Sequence, residues 1–165
     1  MRITVIGLGE AGTIYATALT GAGHEVTGFD PGPADTPEGV RRAESAHEAV
    51  AGAEMVLVLT SASVAPAVAD SVLGALTPDT VYADLTSATP DVMRSLSERV
   101  QATGARFADV AILGPMTIGG AATDLIASGP GAPEVARVCA SLGAEVEALP
   151  GEPGRPRRAS SCAAP

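Results

Sequence analysis

The chain is 165 residues long, enough for one domain with a real core and too short for two full ones. Apolar residues make up 46% of it and aromatics 2%, so the core must come from Ala, Val, Leu and Ile, and no apolar run approaches the ~18 residues of a membrane span. The formal charge is −9, with −11 on residues 1–150 and +2 on residues 151–165, and an acidic body argues against nucleic acid as a partner.

In chain order, "RITVIG" reads as a buried parallel strand and "EAGTIYATALTGAG" as a helix closed by a glycine C-cap. "EVTGFD" is the next strand, "PGPADTPEG" a loop of turn formers, and "SAHEAVAGA" a short helix in which Ser45 and Glu48 have capping-box spacing. "EMVLVLT" is a continuously apolar strand, as a sheet covered on both faces requires. A helix over "SVAPAVADSVLGAL" follows, with Pro66 in its first turn, then the strand "TVYADLT". "TPDVMRSLSERVQATG" is a helix with Thr89 as cap and Pro90 at its first position. "ARFADVAIL" is a sixth strand; "TDLIASG", a helix around "PEVARVCASLG", and "AEVEAL" complete the pattern. Strands alternating with helices imply parallel pairing through right-handed crossovers, and so a Rossmann-type α/β fold, a doubly wound, mainly parallel sheet in three αβα layers.

The start "MRITVIG" lacks the ordered parts of a signal peptide, and a cytoplasmic location is expected. Cys139 and Cys162 have no metal-type spacing, so no metal is expected. The terminal "CAAP" mimics a prenylation box with a poor last residue, and no membrane role is expected. Residues 151–165, "GEPGRPRRASSCAAP", lose apolar periodicity and are expected to be a disordered or loosely attached tail to a domain of residues 1–150.

Gly7, Gly9 and Gly12 form G-x-G-x-x-G between a strand and a helix, with Asp30 23 residues beyond Gly7 at the end of the second strand. Gly7 permits the tight turn, Gly9 lets backbone approach a pyrophosphate, and Gly12 lets the helix pack on the sheet. Residues Gly7, Leu8, Gly9, Glu10, Ala11 and Gly12 would therefore carry the phosphates at the helix N-terminus. Asp30 would accept from the adenosine ribose hydroxyls and repel a 2′-phosphate. No Arg follows it directly, which favours NAD over NADP.

These residues and three further segments resemble the β-hydroxyacid dehydrogenase family, which includes 3-hydroxyisobutyrate and 6-phosphogluconate dehydrogenases. "VLVLT" and the helix after it resemble the family's fourth strand and cofactor-passing loop. "DLTSATP" (84–90) resembles its D-x-S-T-x-x-P motif, and "GARFADVAILGP" (104–115) its G-x-x-F-x-D-A-P-V-S-G-G segment. The resemblance implies hydride transfer to or from a small hydroxyacid-like substrate. Thr60 and Ser61 would pass near the nicotinamide ribose, and Thr86, Ser87 and Gly114 would border the substrate. Where the family has Ser-Gly-Gly this chain has Leu113, Gly114 and Pro115.

The resemblance also implies a long helix after "GEPG" (151–154), bearing a general-acid/base lysine where this chain has Ala159 and Ser160. No lysine occurs anywhere in these residues. A positioned general base contributes ~10²–10⁴-fold. His24 and His47 read as surface residues, Tyr15 and Tyr82 as packing residues, and Asp109 as a weak candidate base. In the family a C-terminal helical domain closes the cleft and forms the homodimer; that domain is expected to be missing here, so a homodimer is expected only if it is present. The change after residue 154 is what a reading-frame slip in a GC-rich gene would produce; a genuine short NAD-binding protein and an isolated domain are the alternatives. The chain is expected to bind cofactor with little or no turnover alone. Two rival readings are a non-catalytic dinucleotide-binding module and an imine-reductase-like enzyme, the latter usually preferring NADPH.

Overall fold

The computed structural model describes residues 1–154. β1 (Arg2–Ile6), α1 (Glu10–Gly21) and β2 (Glu25–Phe29) form the opening βαβ unit. β3 (Arg41–Arg42), α2 (Ala46–Val50), β4 (Met55–Val58), α3 (Ala65–Val72), β5 (Val81–Asp84) and α4 (Pro90–Gln101) follow. β6 (Arg106–Ile112), α5 (Met116–Gly119), β7 (Leu125–Ser128), α6 (Ala132–Ala140) and β8 (Val146–Leu149) complete the domain. The eight strands form one sheet in the order β3-β2-β1-β4-β5-β6-β7-β8.

The strands alternate between two apolar layers, as a two-residue side-chain period dictates. Ile3, Val5, Met55, Leu57, Val81 and Ala83 pack against α1 and α6 through Tyr15, Leu19, Val135 and Val138. Ile6, Val56, Val58, Tyr82 and Phe107 face α2, α3 and α4 through Val50, Ala69, Val72, Met93 and Leu96. The Tyr82 and Phe107 rings stack with centroids 5.9 Å apart. With so few aromatics, small Ala side chains bring the helices close to the sheet. The expected three-layer, mainly parallel fold is the fold found.

Local signals explain most boundaries. Gly23, at φ +84°, closes α1, its N–H donating to the Thr20 carbonyl while that of His24 donates to Leu19. Ser45 Oγ caps α2 by accepting from Glu48 N; the Glu48 carboxylate returns to Glu44 N rather than to the cap residue. Thr89 holds the cap position of α4 without a side-chain cap bond, contrary to expectation, and Pro90 at the helix start carries the boundary.

Three features depart from the sequence expectation. β3, two residues beside β2, escaped it because two arginines carry no strand pattern. β7 runs antiparallel to β6, because the 113–124 connection supplies only short helical turns and no crossover helix to return the chain. Residues 151–154, expected with the tail, pack on the domain. Pro153 and Gly154 are buried, and Gly154 N donates to Asp109 Oδ2 at 2.7 Å. The rest of the expected tail, 155–165, including Ala159, Ser160 and Cys162, lies outside the described residues.

Candidate cofactor site

Strand register builds the site. Phe29, Ile6, Val58, Asp84 and Asp109 lie in one row across β2, β1, β4, β5 and β6. The chain therefore leaves these parallel strands at a single edge. From β1 it crosses to β2 and β3 on one side, then returns to β4 on the other. That reversal opens a crevice outside β1 and β4, where open α/β sheets bind ligands.

The glycine turn fills this crevice. Gly7 has φ +93°, its N–H donates to the Phe29 carbonyl at 2.8 Å, and a Cβ there would stand 2.7 Å from the Leu59 carbonyl oxygen. A Cβ on Gly12 would overlap the Gly7 carbonyl oxygen, so position 12 is closed to any side chain. Gly9 is the opposite case. It is exposed, and a Cβ there would meet nothing within 4 Å. Gly9 precedes α1 without a side-chain cap, so the N–H groups of Glu10, Ala11 and Gly12 are left for an outside acceptor. Bare backbone, free donors and the positive end of a 12-residue helix fit a pyrophosphate. Glu10 is exposed beside this end, and Leu8 contributes backbone, its side chain being buried.

Asp30 follows the end of β2 and is half-buried. Its Oδ2 accepts from Leu8 N at 2.8 Å and its Oδ1 from Gly32 N at 2.7 Å. One carboxylate thus joins the glycine turn to the loop after β2. An open groove of about 600 Å³ beside it is lined by Phe29, Asp30, Pro31, Arg42, Ala43 and Glu44. Arg42 is the residue sequence reading missed. It stands twelve positions after Asp30, and the pairing of β3 with β2 brings it back to the same loop.

Thr60 lies over the glycine turn, its Cγ2 3.0 Å from where a Gly7 Cβ would be. Ser61 is exposed, its Oγ 3.1 Å from Ser63 Oγ. Further along the edge, Thr86 is buried, and its N and Oγ1 both donate to Asp84 Oδ1, at 2.8 and 2.6 Å. Its hydroxyl proton is therefore committed inward, and Ser87, next to it, and Thr89, at the start of α4, are the exposed hydroxyls of that loop. Gly114 is exposed after β6; a Cβ there would make only ordinary contact with Thr123, so space alone does not demand glycine. Leu113 and Ile118 are exposed on the same connection.

The remaining titratable candidates lie elsewhere or face inward. His24 is at the opposite edge, its Nδ1 3.4 Å from the N-terminal ammonium. Burial, that ammonium and Arg137 hold its pKa below the ordinary value. His47 is exposed on α2. Tyr15 and Tyr82 are fully buried, and desolvation raises both phenols. Asp109 is buried and holds Gly154. Among the described residues no cluster of His, Cys, Asp and Glu could hold a metal ion, and no helix is long and apolar enough to cross a membrane.

Known proteins share this arrangement. The model of the NAD-binding domain of 6-phosphogluconate dehydrogenase matches residues 2–147. A probable 3-hydroxyisobutyrate dehydrogenase of Mycobacterium bovis is 32% identical over 126 residues, covering 73% of this chain and 43% of the relative. The chain thus spans less than half the length of the curated relatives it matches. The structure of Mycobacterium tuberculosis 3-hydroxyisobutyrate dehydrogenase with L-serine superposes with a TM-score of 0.83 at 26% identity, over 98% of this chain and 58% of that one. An Aspergillus terreus reductive aminase in complex with NADPH4 gives 0.82 at 25% identity, over 98% of this chain and 58% of that one. A Myxococcus stipitatus imine reductase variant in complex with NAD+ gives 0.84 at 24% identity, with the same coverages, and shares the fold. The chain belongs to the β-hydroxyacid dehydrogenase family, as its N-terminal NAD(P)-binding domain.

Proposed function

We propose that this domain binds NAD(H) in preference to NADP(H), as the cofactor half of an oxidoreductase acting on a small hydroxyacid-like substrate. The observation that carries the reading is the Asp30 carboxylate bonded to Leu8 N beside the uncapped start of α1. Backbone from Gly7 to Gly12, including Leu8, Glu10 and Ala11, takes the pyrophosphate, and Asp30 takes the ribose diol and opposes a 2′-phosphate. Thr60 and Ser61 flank the nicotinamide ribose. Thr86, Ser87 and Gly114 border the substrate, with Ser87 the hydroxyl that reaches it and Thr86 holding the loop through Asp84. When bound, the nicotinamide supplies or takes the hydride.

A general base and the closed side of the cleft would come, in this reading, from a C-terminal helical domain like the family's, and a homodimer is expected only where that domain is present. The domain without it binds cofactor and turns over little. The acidic charge of −9 supports a protein that avoids nucleic acid, and the reading places it in the cytoplasm. Titration of the folded protein with NADH and NADPH by fluorescence tests the proposal, with NADH expected to bind more tightly. Absence of binding by either would overturn it. Tighter NADPH binding would favour the imine-reductase-like reading, which the lack of lysine in these residues also fits.

A further inference from the structure

The loop after β2 lines both open grooves on the adenosine side of the crevice. One holds Asp30 and Pro31; the other, about 570 Å³, holds Leu8, Gly9, Thr13, Ala34, Asp35 and Thr36. The loop makes few bonds of its own. Gly32 N donates to Asp30, Val40 N donates to the Pro37 carbonyl, and Pro31 and Pro33 have no N–H to give. Besides the Leu8 N bond to Asp30 and the packing of Ala34 on the core, one side chain from outside the loop holds it.

That side chain is Arg42. Its Nη1 donates to the Ala34 carbonyl at 2.5 Å and to Thr36 Oγ1 at 3.2 Å. Its Nη2 donates to the Asp30 carbonyl at 2.7 Å and to the Gly32 carbonyl at 3.0 Å. The four terminal N–H groups of the guanidinium thus meet four acceptors spread over residues 30–36. Arg42 is held in turn by the pairing of β3 with β2, where it registers with Gly28 and Ala43 N donates to the Gly28 carbonyl. A planar fork with donors on both terminal nitrogens can gather four diverging acceptors; a lysine ammonium, a point with three donors, cannot.

We propose that Arg42 is a positioning residue for cofactor selectivity: by clamping the 30–36 loop it fixes the Asp30 carboxylate toward the ribose diol. The inference rests on the NAD(H) reading above. Its four terminal N–H donors are turned to the loop and not to the position of a 2′-phosphate, although Arg42 stands beside the acid proposed to discriminate against one. Asp35 and Glu44, on the walls of the two grooves, add negative charge there. Discrimination thus depends on a residue twelve positions from Asp30, outside the glycine motif.

The test uses the full chain with Arg42→Ala and Arg42→Lys. Hydrogen exchange of the cofactor-free proteins reads the clamp alone. The amides of Leu8 and Gly32, which bond to Asp30, should exchange faster in both variants while those of β4 and β5 stay unchanged. Calorimetry with NADH, NADPH and reduced nicotinamide mononucleotide reads its consequence. NADH affinity should fall roughly tenfold in Arg42→Ala, and its advantage over NADPH should shrink by a similar factor. Affinity for the mononucleotide, which lacks the adenosine half, should not change. Arg42→Lys keeps the charge and loses the fork, so it should resemble Arg42→Ala. Full recovery in Arg42→Lys would show that charge alone acts and would overturn the clamp. Unchanged exchange and selectivity in Arg42→Ala would overturn it too. If the unmodified protein binds neither dinucleotide, the cofactor reading falls and the selectivity role with it, while faster exchange in the variants would still show the clamp as a purely structural device.

Discussion

The half of the crevice proposed to take adenosine and the half proposed to border the substrate stand on one edge of one sheet, yet the domain completes them to different degrees. On the adenosine side every element is tied to another. Gly7 is bonded to Phe29, Leu8 to Asp30, Asp30 to Gly32, and Arg42 to four acceptors of the same loop. On the reacting side the polar bonds turn inward: Thr86 donates to Asp84, and Asp109 holds Gly154. The exposed groups there include Ser87, Thr89, Gly114 and the side chains of Leu113 and Ile118. In the reading proposed above, the phosphate site is prepared by backbone geometry and the ribose site by two side chains, Asp30 and Arg42, whereas chemistry needs a titratable group aimed outward. The domain supplies the first within itself.

The sharpest way to break this contrast is at Gly12. Gly12→Ala places a methyl group on the Gly7 carbonyl, which is backbone and not a flexible side chain that could yield. We expect a loss of ~3 kcal/mol or more in unfolding free energy and no measurable NADH binding, read by chemical denaturation and fluorescence titration. Asp30→Ala should come next. It removes a carboxylate that orders two backbone N–H groups and is proposed to receive the ribose hydroxyls. NADH affinity should weaken by about 1.5–3 kcal/mol, with a smaller change for NADPH, so that the ratio of the two dissociation constants approaches one. An unchanged ratio would remove Asp30 from the discrimination.

The same contrast explains what was legible in the amino-acid sequence. The glycine turn, the acid after β2 and the helix start are local in the chain, and Gly7 and Gly12 are residue types forced by backbone conformation or close approach. They could therefore be read directly. Arg42 could not, because only the pairing of a two-residue strand brings it to residues 30–36; an arginine pair after a Pro/Gly-rich loop looks like solvated charge. The antiparallel β7 escaped for a similar reason. "TDLIASG" is apolar in the same way as its parallel neighbours, and direction depends on the connection before it. On the reacting side, Thr86 and Ser87 are adjacent hydroxyls with equal claims in sequence, and only the buried Asp84 separates them.

The inward-turned bonds give a test with a middle-sized effect. Asp109→Ala leaves the buried Gly154 N–H without its acceptor, at a cost of about 1–3 kcal/mol in stability, while Asp109→Asn keeps an oxygen there and should cost less. Neither should alter NADH affinity more than about twofold, because two strands, β4 and β5, lie between β1 and the strand β6 that carries Asp109. A large loss of binding in Asp109→Asn would show that the two halves are coupled and that the separation drawn above is wrong. Ser87→Ala is the milder companion. The side chain is exposed, so stability should stay within about 0.5 kcal/mol of the parent and NADH binding should hold, whatever happens to turnover in a longer chain.

The smallest effect belongs to the edge opposite the crevice, and its sign follows from His24. The N-terminal ammonium donates to Nδ1 at 3.4 Å, which requires a neutral ring with that nitrogen unprotonated. Burial first, then the ammonium and Arg137, hold the folded-state pKa below the ordinary 6.5. The unfolded chain therefore binds the proton more readily than the native one. Stability from this group is complete above pH 6.5, falls as pH drops from there toward the native pKa, and is level below it. The carboxylates of Glu48 and Glu54 act in the same direction but lower, because their backbone and arginine partners hold them below 4.5; their contribution is present above that value and is lost as pH falls through the folded pKa. Denaturation midpoints measured between pH 7.5 and 5 should thus decline gently in the parent and stay flat in His24→Gln, with the two curves bending together below 4.5. A decline that survives His24→Gln would place the responsible proton elsewhere, and the cofactor edge of the sheet would be the next place to look.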